Sequence, residues 1–229
     1  IFDPQGGIAD LEAGRVRFVG EAARRIKEDH LRLLRFFRFH AWYGKGALDA
    51  EGLAAAKTWA TSLSKLSGER IRAEILKLLA APDPVLVVVE MAATGILTKA
   101  VPGAGSARIL RSLLPLEEKA DPLRRLAALL RPGGDGVAVA ARLRMSRASQ
   151  QRLTALLAPP SDVTAEIDER AMRRALYRYG ATYVKDWLLL AEAESGGASE
   201  GLETALTMAK AWSPIELPIK GKDALALGI

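Results

Sequence analysis

The chain lacks cysteine and contains only two histidines, His30 and His40, among its 229 residues. Without thiols it can form neither a disulfide nor a thiolate metal site. Two histidines are also too few for the histidine cluster that a zinc site commonly uses. We therefore expect no metal to be bound through nitrogen or sulfur ligands in this chain.

Long apolar runs are missing as well. No stretch reaches 18 consecutive apolar residues, and no signal-peptide pattern opens the chain. Because a membrane-spanning helix needs an apolar run of about that length, we expect a soluble, cytoplasmic protein without membrane contact. Apolar residues nevertheless make up 49% of the sequence, enough for one sizeable core or two or three small helical ones.

Positive charge is in excess but unevenly distributed. The formal net charge is +6, divided as +4 over residues 1–80, +5 over residues 81–160 and −3 over residues 161–229. An excess of this size favours salt-sensitive contacts with phosphate groups. We expect the first two thirds of the chain to face a polyanion, although basic proteins without any nucleic-acid role also exist.

The sequence beyond Gly20 predicts helices almost throughout, whereas residues 15–19 predict a strand that follows a turn at residues 3–7. Gly6-Gly7 in that turn is only a weak phosphate-loop signal. Asp49, Ser67 and Asp121 are predicted helix caps. The other predicted helices cover residues 24–44, 50–63, 68–80, 106–114, 122–130, 137–144, 146–157, 166–179, 183–194 and 199–211. Helices of similar length predict an all-α fold, a packed helical array with a short extended N-terminal piece.

The segment of residues 24–44 is the most informative stretch. On one continuous helix its residues separate into two faces. The apolar face consists of Ile26, Leu33, Leu34, Phe37 and Ala41. The polar face consists of Arg25, Glu28, Asp29, Arg32 and Arg35. One face is therefore suited to a core, and the other carries closely spaced charges of both signs.

Asp29 and Arg32 are three residues apart, so on a helix they lie about one turn from each other. A carboxylate acceptor beside a planar guanidinium donor could present to a nucleobase edge the pattern that another base would present. Glu28, four residues before Arg32, could hold the guanidinium still. The plainer interpretation is that these charges form ordinary ion pairs on a solvated helix face.

Two further clusters of arginine occur later in the chain. The second cluster contains Arg142, Arg144, Arg147 and Arg152, and the third contains Arg170, Arg173, Arg174 and Arg178 with Tyr177 and Tyr179 between them. Arginine beside aromatic residues suits RNA, through phosphate pairing and base stacking. Ordinary solvated helix faces also carry arginine, so either interpretation fits. The sign change in charge coincides with Pro159-Pro160, which we take as a domain boundary.

Three motifs follow one another in residues 1–79. They are Asp3-Pro-Gln-Gly-Gly-Ile-Ala-Asp10-Leu11 with Arg17-Phe-Val-Gly20, then Arg25-Ile-Lys-Glu28-Asp29-x-x-Arg32-x-x-Arg35 with Arg38-Phe39, and finally Gly68-Glu-Arg-Ile71-x-x-Glu74-Ile75-x-Lys77-Leu78. In this order they resemble the class II tRNA nucleotidyltransferase and poly(A) polymerase family of bacteria. The resemblance also favours a helix over a strand for the β-branched run within residues 84–94.

The resemblance implies how the motif residues act. Asp29 and Arg32 match the residues with which this family pairs the base of incoming CTP or ATP, with Glu28 and Arg35 orienting them and Arg25 on the same face. The helix at residues 68–80 would brace this site. The alternative is that Arg70 and Glu74, four residues apart, simply pair with each other.

The resemblance also implies a domain plan. Residues 1–20 would end the catalytic head domain, residues 21–81 form the nucleotide-selecting neck, residues 82–158 the helical body and residues 161–229 a truncated tail. The expected partner is tRNA, held by Arg142, Arg144, Arg147, Arg173, Arg174, Lys220 and Lys222. The carboxylates that hold Mg²⁺ in this family are expected upstream of this chain, so we expect a fragment that binds but does not catalyse by itself.

The expected function is therefore base selection and tRNA binding in a CCA-adding enzyme, which adds C and A to tRNA 3′ ends without a template. An A-adding enzyme and a poly(A) polymerase share these motifs and remain alternatives. A non-catalytic helical RNA-binding module would fit the charge but has no use for the Glu-Asp-x-x-Arg spacing. A purely structural helical scaffold would bind no nucleotide. The sequence predicts no oligomeric state.

Overall fold

The computed structural model describes residues 2–164, 167–197 and 199–213. Over these residues the chain is all-α, as the sequence predicted. The helices are α1 (Gly7–Ala13), α2 (Ala22–Glu28), α3 (Leu31–Tyr43), α4 (Ala50–Thr58), α5 (Gly68–Leu79), α6 (Val85–Ala93), α7 (Ile96–Ala100), α8 (Arg108–Leu113), α9 (Pro122–Leu130), α10 (Gly136–Arg142), α11 (Arg147–Leu157), α12 (Glu169–Tyr179), α13 (Ala181–Ser195) and α14 (Glu200–Ala211). Two short 3₁₀ helices lie at Ala60–Lys65 and Leu114–Leu116.

The predicted caps form as expected. The side chain of Asp49 accepts from the Gly52 N–H, that of Ser67 from the Arg70 N–H, and that of Asp121 from the Leu123 N–H. Each bond satisfies a backbone donor that the first turn of a helix leaves unpaired. The helix starts near residues 50, 68 and 122 are therefore set by local sequence.

The β-branched run at residues 85–89 is helical. Val87, Val88 and Met91 are buried in α6, and Gly95 follows with φ of +71°, the left-handed conformation that ends many helices. Packing of the apolar face outweighs the strand propensity of valine here, because that propensity reflects burial context more than the backbone.

The strand predicted for residues 15–19 is wrong. This segment lies outside any helix, but a strand needs a hydrogen-bonding neighbour and the described residues contain none. Instead Arg17 pairs with Asp10 at 2.6 Å, and the ring of Phe18 stacks on Phe36 with centroids 5.4 Å apart. Helix α1 before this segment was not predicted, and the predicted helix at residues 50–63 ends earlier and continues as a 3₁₀ turn.

Helices α2 to α14 share one connected hydrophobic core that extends from Ala22 to Ala209, and α1 contributes no buried residue to it. Helix α3 packs along α5 and against α6, α5 contacts α9, and α9 in turn contacts α11. Helix α13 is enclosed by α8, α11, α12 and α14. Among the described residues, no helix has both the length and the apolar character needed to cross a membrane.

A buried ionic network lies at the centre of this array. Arg124 and Arg125 on α9 both pair with Glu117, at 2.6 and 2.7 Å, and the three side chains are at most 7% exposed. Arg124 also pairs with Asp186 on α13 at 2.7 Å, and Asp186 binds Arg152 of α11 at 2.6 Å. The network therefore connects three helices that are distant in sequence.

The same network reaches the C-terminal end of α5. A terminal nitrogen of Arg125 donates to the backbone carbonyls of Leu79 at 2.7 Å and Ala81 at 2.6 Å. Carbonyls at a helix end have no partner within the helix, so a guanidinium satisfies them well. The position of α5 is thus fixed by a charged side chain from α9 as well as by its apolar face.

We expect Glu117→Gln to lower the free energy of unfolding by about 3 kcal/mol, because it leaves two buried guanidinium groups with less than their compensating charge. Urea unfolding at pH 7 measures this. The matched control is Glu118→Gln at the neighbouring residue, whose exposed carboxylate pairs with Lys185 at 3.3 Å. The free energy of unfolding should fall far less in this control. Equal losses for the two variants would contradict the stabilising role of the buried network.

Candidate functional site

The charged motif of residues 24–44 does not lie on one helix, so the predicted continuous helix is wrong. Helix α2 ends at Glu28, the backbone of Asp29 is extended (φ −149°, ψ 106°), and α3 begins at Leu31. The side chain of Asp29 accepts from the Leu31 N–H at 3.1 Å. Asp29 lies just before His30, the N-cap of α3, and its side chain satisfies the first backbone N–H of that helix. An aspartate at such a position favours a new helix start over continuation of the old one.

Asp29 and Arg32 remain neighbours in spite of the break. The Arg32 N–H donates to the Asp29 carbonyl at 3.0 Å, which closes a tight turn between them. The Arg32 guanidinium donates through one terminal nitrogen to Glu28 at 2.7 Å and to the Arg25 carbonyl at 3.2 Å. The predicted Glu28–Arg32 pair is thus present, and Arg32 also satisfies a carbonyl at the C-terminal end of α2.

Glu28 accepts from two arginines at once. Besides Arg32, Arg25 donates to the same carboxylate oxygen at 2.6 Å. The hydrogen bond from Arg32 lowers the pKa of Glu28 below its ordinary value, with further lowering by the charge of Arg25. A negative charge at a helix C-terminus is otherwise unfavourable, so the two arginines offset the helix dipole there.

Helix α5 supports the site from behind. Arg70 donates to Asp29 at 3.0 Å, and the buried Glu74 pairs with Arg38 at 2.7 Å and approaches Arg35 at 3.7 Å. The indole N–H of Trp42 on α3 donates to the Lys77 carbonyl at 2.7 Å. Arg70 thus binds Asp29, and Glu74 binds arginines of α3. The two residues do not pair with each other, so α5 braces the site.

Sequence reasoning assigned no role to Arg38 and did not foresee that Arg70 reaches Asp29. The available signal was limited to the opposite charges of residues 70 and 74, which lie one turn apart on α5. The pairing itself joins residues 41 positions apart, which no local pattern specifies.

Burial raises the pKa of Asp29, but the Leu31 N–H and the Arg70 guanidinium outweigh it and hold the pKa below its ordinary value. Asp29 is therefore ionised near neutral pH and acts as an acceptor only. Its side chain and that of Arg32 are both 30% exposed.

Both side chains keep unused polar atoms. Within the described residues, Oδ2 of Asp29 and the Nε and second terminal nitrogen of Arg32 have no hydrogen-bond partner. The arrangement consequently offers a ligand one carboxylate acceptor and guanidinium donors, each already held in place by its other atoms.

The second arginine cluster divides into two kinds of residue. Arg142 donates to the Leu63 carbonyl at 3.3 Å, while Arg144 is 70% exposed and lies 3.6 Å from Glu69, and Arg147 is exposed at the start of α11. Arg152, in contrast, pairs with Asp121 and Asp186 in the buried network. Arg152, which was not among the predicted tRNA contacts, therefore matches the other interpretation of the cluster, in which arginine forms ion pairs within the protein.

The third cluster lies on α12. Arg173 and Arg174 are both exposed, and Arg173 pairs with Glu169 one turn earlier at 2.5 Å. The Arg178 guanidinium lies over the Tyr179 ring, 5.1 Å from its centroid. The predicted RNA contacts Lys220 and Lys222 lie outside the described residues. In the described part of the chain, no group of three or more His, Asp or Glu side chains is placed to hold a metal ion.

Comparison with known proteins places this geometry in context. A family model described as "Probable RNA and SrmB-binding site of polymerase A" matches residues 47–107. The "CCA tRNA nucleotidyltransferase 1, mitochondrial" of Mus musculus is 48% identical over 84 residues, which are 34% of this chain and 19% of the mouse protein.

Solved structures match the fold over the whole chain. The CCA-adding enzyme of Bacillus stearothermophilus, solved with CTP, matches all of this chain and 59% of its own length with a TM-score of 0.69 and 24% identity. The Thermotoga maritima enzyme, solved with tRNA, matches all of this chain and 58% of its own with a TM-score of 0.61 and 17% identity. The predicted family resemblance is confirmed.

This chain thus resembles the tRNA nucleotidyltransferase and poly(A) polymerase family in sequence over part of its length and in fold throughout. It spans less than two thirds of the length of these relatives. The helix break at Asp29 and the contact of Asp29 with Arg70 on α5 are the structural features from which we infer a function.

Asp29 provides a pH test of the site. Because its pKa in the folded protein lies below the ordinary value of 3.8, its charge stabilises the fold fully above that pH and ceases to do so as pH falls through the folded-state pKa. Asp29→Asn keeps a capping residue but loses the charge, so we expect it to cost up to about 1 kcal/mol near pH 7.

The difference between wild type and Asp29→Asn should shrink below about pH 4, as measured by urea unfolding across pH. Asp135→Asn is the matched control, because Asp135 also caps a helix, through the Val137 and Ala138 N–H groups. The stabilising role of the Asp29–Arg70 pair would be contradicted if the difference in unfolding free energy between wild type and Asp29→Asn stayed constant down to pH 2. It would also be contradicted if Asp135→Asn showed the same difference.

Proposed function

We propose that this chain selects the incoming nucleotide and holds tRNA in a CCA-adding tRNA nucleotidyltransferase, the enzyme that adds C and A from CTP and ATP to tRNA 3′ ends without a template. The observation that carries the proposal is the turn at Asp29 and Arg32. Both side chains are fixed by Glu28 and Arg70, and both retain unused atoms of opposite hydrogen-bonding character.

The hydrogen-bonding groups on the pairing edges of the bases explain why CTP and ATP are the proposed nucleotides. Cytosine and adenine each present an amino donor beside a ring-nitrogen acceptor on the pairing edge, whereas uracil and guanine present a carbonyl where the amino group would be. Asp29 would accept from the amino group and Arg32 would donate to the acceptor. By analogy with groove readout, a good bidentate pair discriminates by about 1–3 kcal/mol, which is about fivefold to 150-fold.

The domain plan follows from the same proposal. Residues 1–20 would end the head domain, residues 21–81 form the neck, residues 82–158 the body and residues 161–229 the tail. Support for tRNA as the partner comes from the tRNA complex of the Thermotoga relative and from the RNA-binding family model. The contacts would be made by Arg142, Arg144, Arg147, Arg173, Arg174, Lys220 and Lys222.

Mg²⁺ does not fit the part of the chain that the structure describes, since no cluster of carboxylates is available there. We therefore assign to these residues base selection and RNA binding and derive no step of the transfer reaction from them. The cytoplasmic location expected from the sequence stays a prediction, since the mouse relative is named as mitochondrial.

A poly(A) polymerase is the second candidate, favoured by the description of the family model that matches residues 47–107. Incorporation assays distinguish the two. The complete gene product should add two C and one A to tRNA lacking its 3′ end when given CTP and ATP. Addition of A alone to tRNA ending in C-C, or a long A tail on any RNA, would reassign the chain within the family.

The same assay tests Asp29 as the base-reading residue. We expect Asp29→Ala to incorporate UTP and GTP more readily while losing less of its overall nucleotide affinity, because the triphosphate contacts are unchanged. Asp135→Ala, which removes a helix cap elsewhere, should keep wild-type selectivity. An Asp29→Ala enzyme that rejects UTP and GTP as well as wild type does would refute the proposed role.

A further inference from the structure

A groove of about 740 Å³ lies between α12 and the C-terminal end of α14. Arg170, Arg173, Arg174 and Tyr177 line it from α12, and Met208 and Trp212 line it from the α14 side. We refer to it as the α12–α14 groove. Its volume is within the range of pockets that accommodate a small organic group.

Positive charge is concentrated at this groove. Residues 170, 173, 174 and 177 follow the spacing of one helix stripe, so three arginines and a tyrosine lie on the same side of α12. Residues 161–229 carry a net charge of −3, so this concentration is not a consequence of local composition. One carboxylate, Glu169, also lines the groove and pairs with Arg173, while no carboxylate within the described residues lies within 4 Å of Arg174. The groove is therefore suited to an anionic occupant.

Aromatic and apolar surface lies directly beside these charges. Tyr177 is 67% exposed, so its ring is accessible to a ligand. Leu176 beneath it is buried, and Met208 and Trp212 are partly buried against the same core. An occupant must consequently combine negative charge with a flat apolar face, which a nucleotide does and a free phosphate does not.

We propose that the α12–α14 groove binds an unpaired nucleotide of the RNA substrate, with its base stacked on Tyr177 and Trp212 and its phosphates paired with Arg173 and Arg174. The proposal rests on the proposed function, because it specifies which part of the RNA this surface takes. Base stacking on an aromatic side chain tolerates any base, so the groove would recognise an unstacked base without selecting its identity. Exposed loops and ends of RNA provide such bases.

The test compares two oligomers of equal length and phosphate number, a single-stranded RNA and one whose residues are abasic. Binding to this chain is measured by fluorescence anisotropy at one fixed salt concentration, because phosphate contacts depend on salt. We expect wild type to bind the base-bearing oligomer about tenfold more tightly. Tyr177→Leu should abolish that preference, and Tyr177→Phe, which keeps the ring, should retain it.

Tyr43→Leu is the matched control, since Tyr43 is also an exposed tyrosine, 60% accessible, at the end of α3. It should keep the full preference for bases. Equal binding of both oligomers by wild type, or an unchanged preference in Tyr177→Leu, would overturn the groove proposal.

Failure of the groove proposal and failure of the proposed function give different results. If wild type binds tRNA and discriminates CTP from UTP but shows no preference for bases in the oligomers, only the groove proposal fails. If the base preference and its loss in Tyr177→Leu are present but CTP and UTP bind equally, the groove is an RNA site and the nucleotide-selecting function fails.

Discussion

Asp29 makes two connections with one carboxylate, and the geometry of the site depends on both. Its side chain accepts from the Leu31 N–H at the start of α3 and from Arg70 on α5. The chain turns at Asp29 between α2 and α3, which brings the Arg32 guanidinium against Glu28 and the C-terminal end of α2. Removal of this carboxylate would release the turn and the brace together.

The site also depends on a network far from it in sequence. Arg125 binds the carbonyls at the end of α5, the helix that presents Arg70 and Glu74 to the turn. Because Arg125 is itself fixed by the buried Glu117, the position of α5 is set from the interior of the helical array. The array therefore acts as a rigid support, and binding sites on rigid elements are held more accurately than sites on loops.

Local signals in the sequence were sufficient for most of the fold. The predicted caps Asp49, Ser67 and Asp121 start helices as expected, because capping involves only neighbouring residues. The break at Asp29 was missed although aspartate is a strong cap. The apolar period of Ile26, Leu33 and Phe37 continues across the break and favoured one helix.

The contacts that cross the fold were not predictable from sequence pattern. Arg152 belongs to a cluster that resembles an RNA-facing surface, but it pairs with the buried Asp186, 34 residues away, and so belongs to the internal network. Arg70 reaches Asp29 over a similar separation. An arginine on a helix face therefore has the same sequence signature whether it binds phosphate or holds the interior together.

The central claim is that the turn at Asp29 and Arg32 distinguishes the edge of a base rather than binding any triphosphate. The direct measurement is the shift in melting temperature of this chain with CTP, ATP, UTP, GTP and inorganic triphosphate at equal concentration. We expect larger shifts with CTP and ATP than with the other three ligands, and loss of that excess in Asp29→Asn. Equal shifts with all five ligands would contradict the central claim and leave only an anion-binding surface.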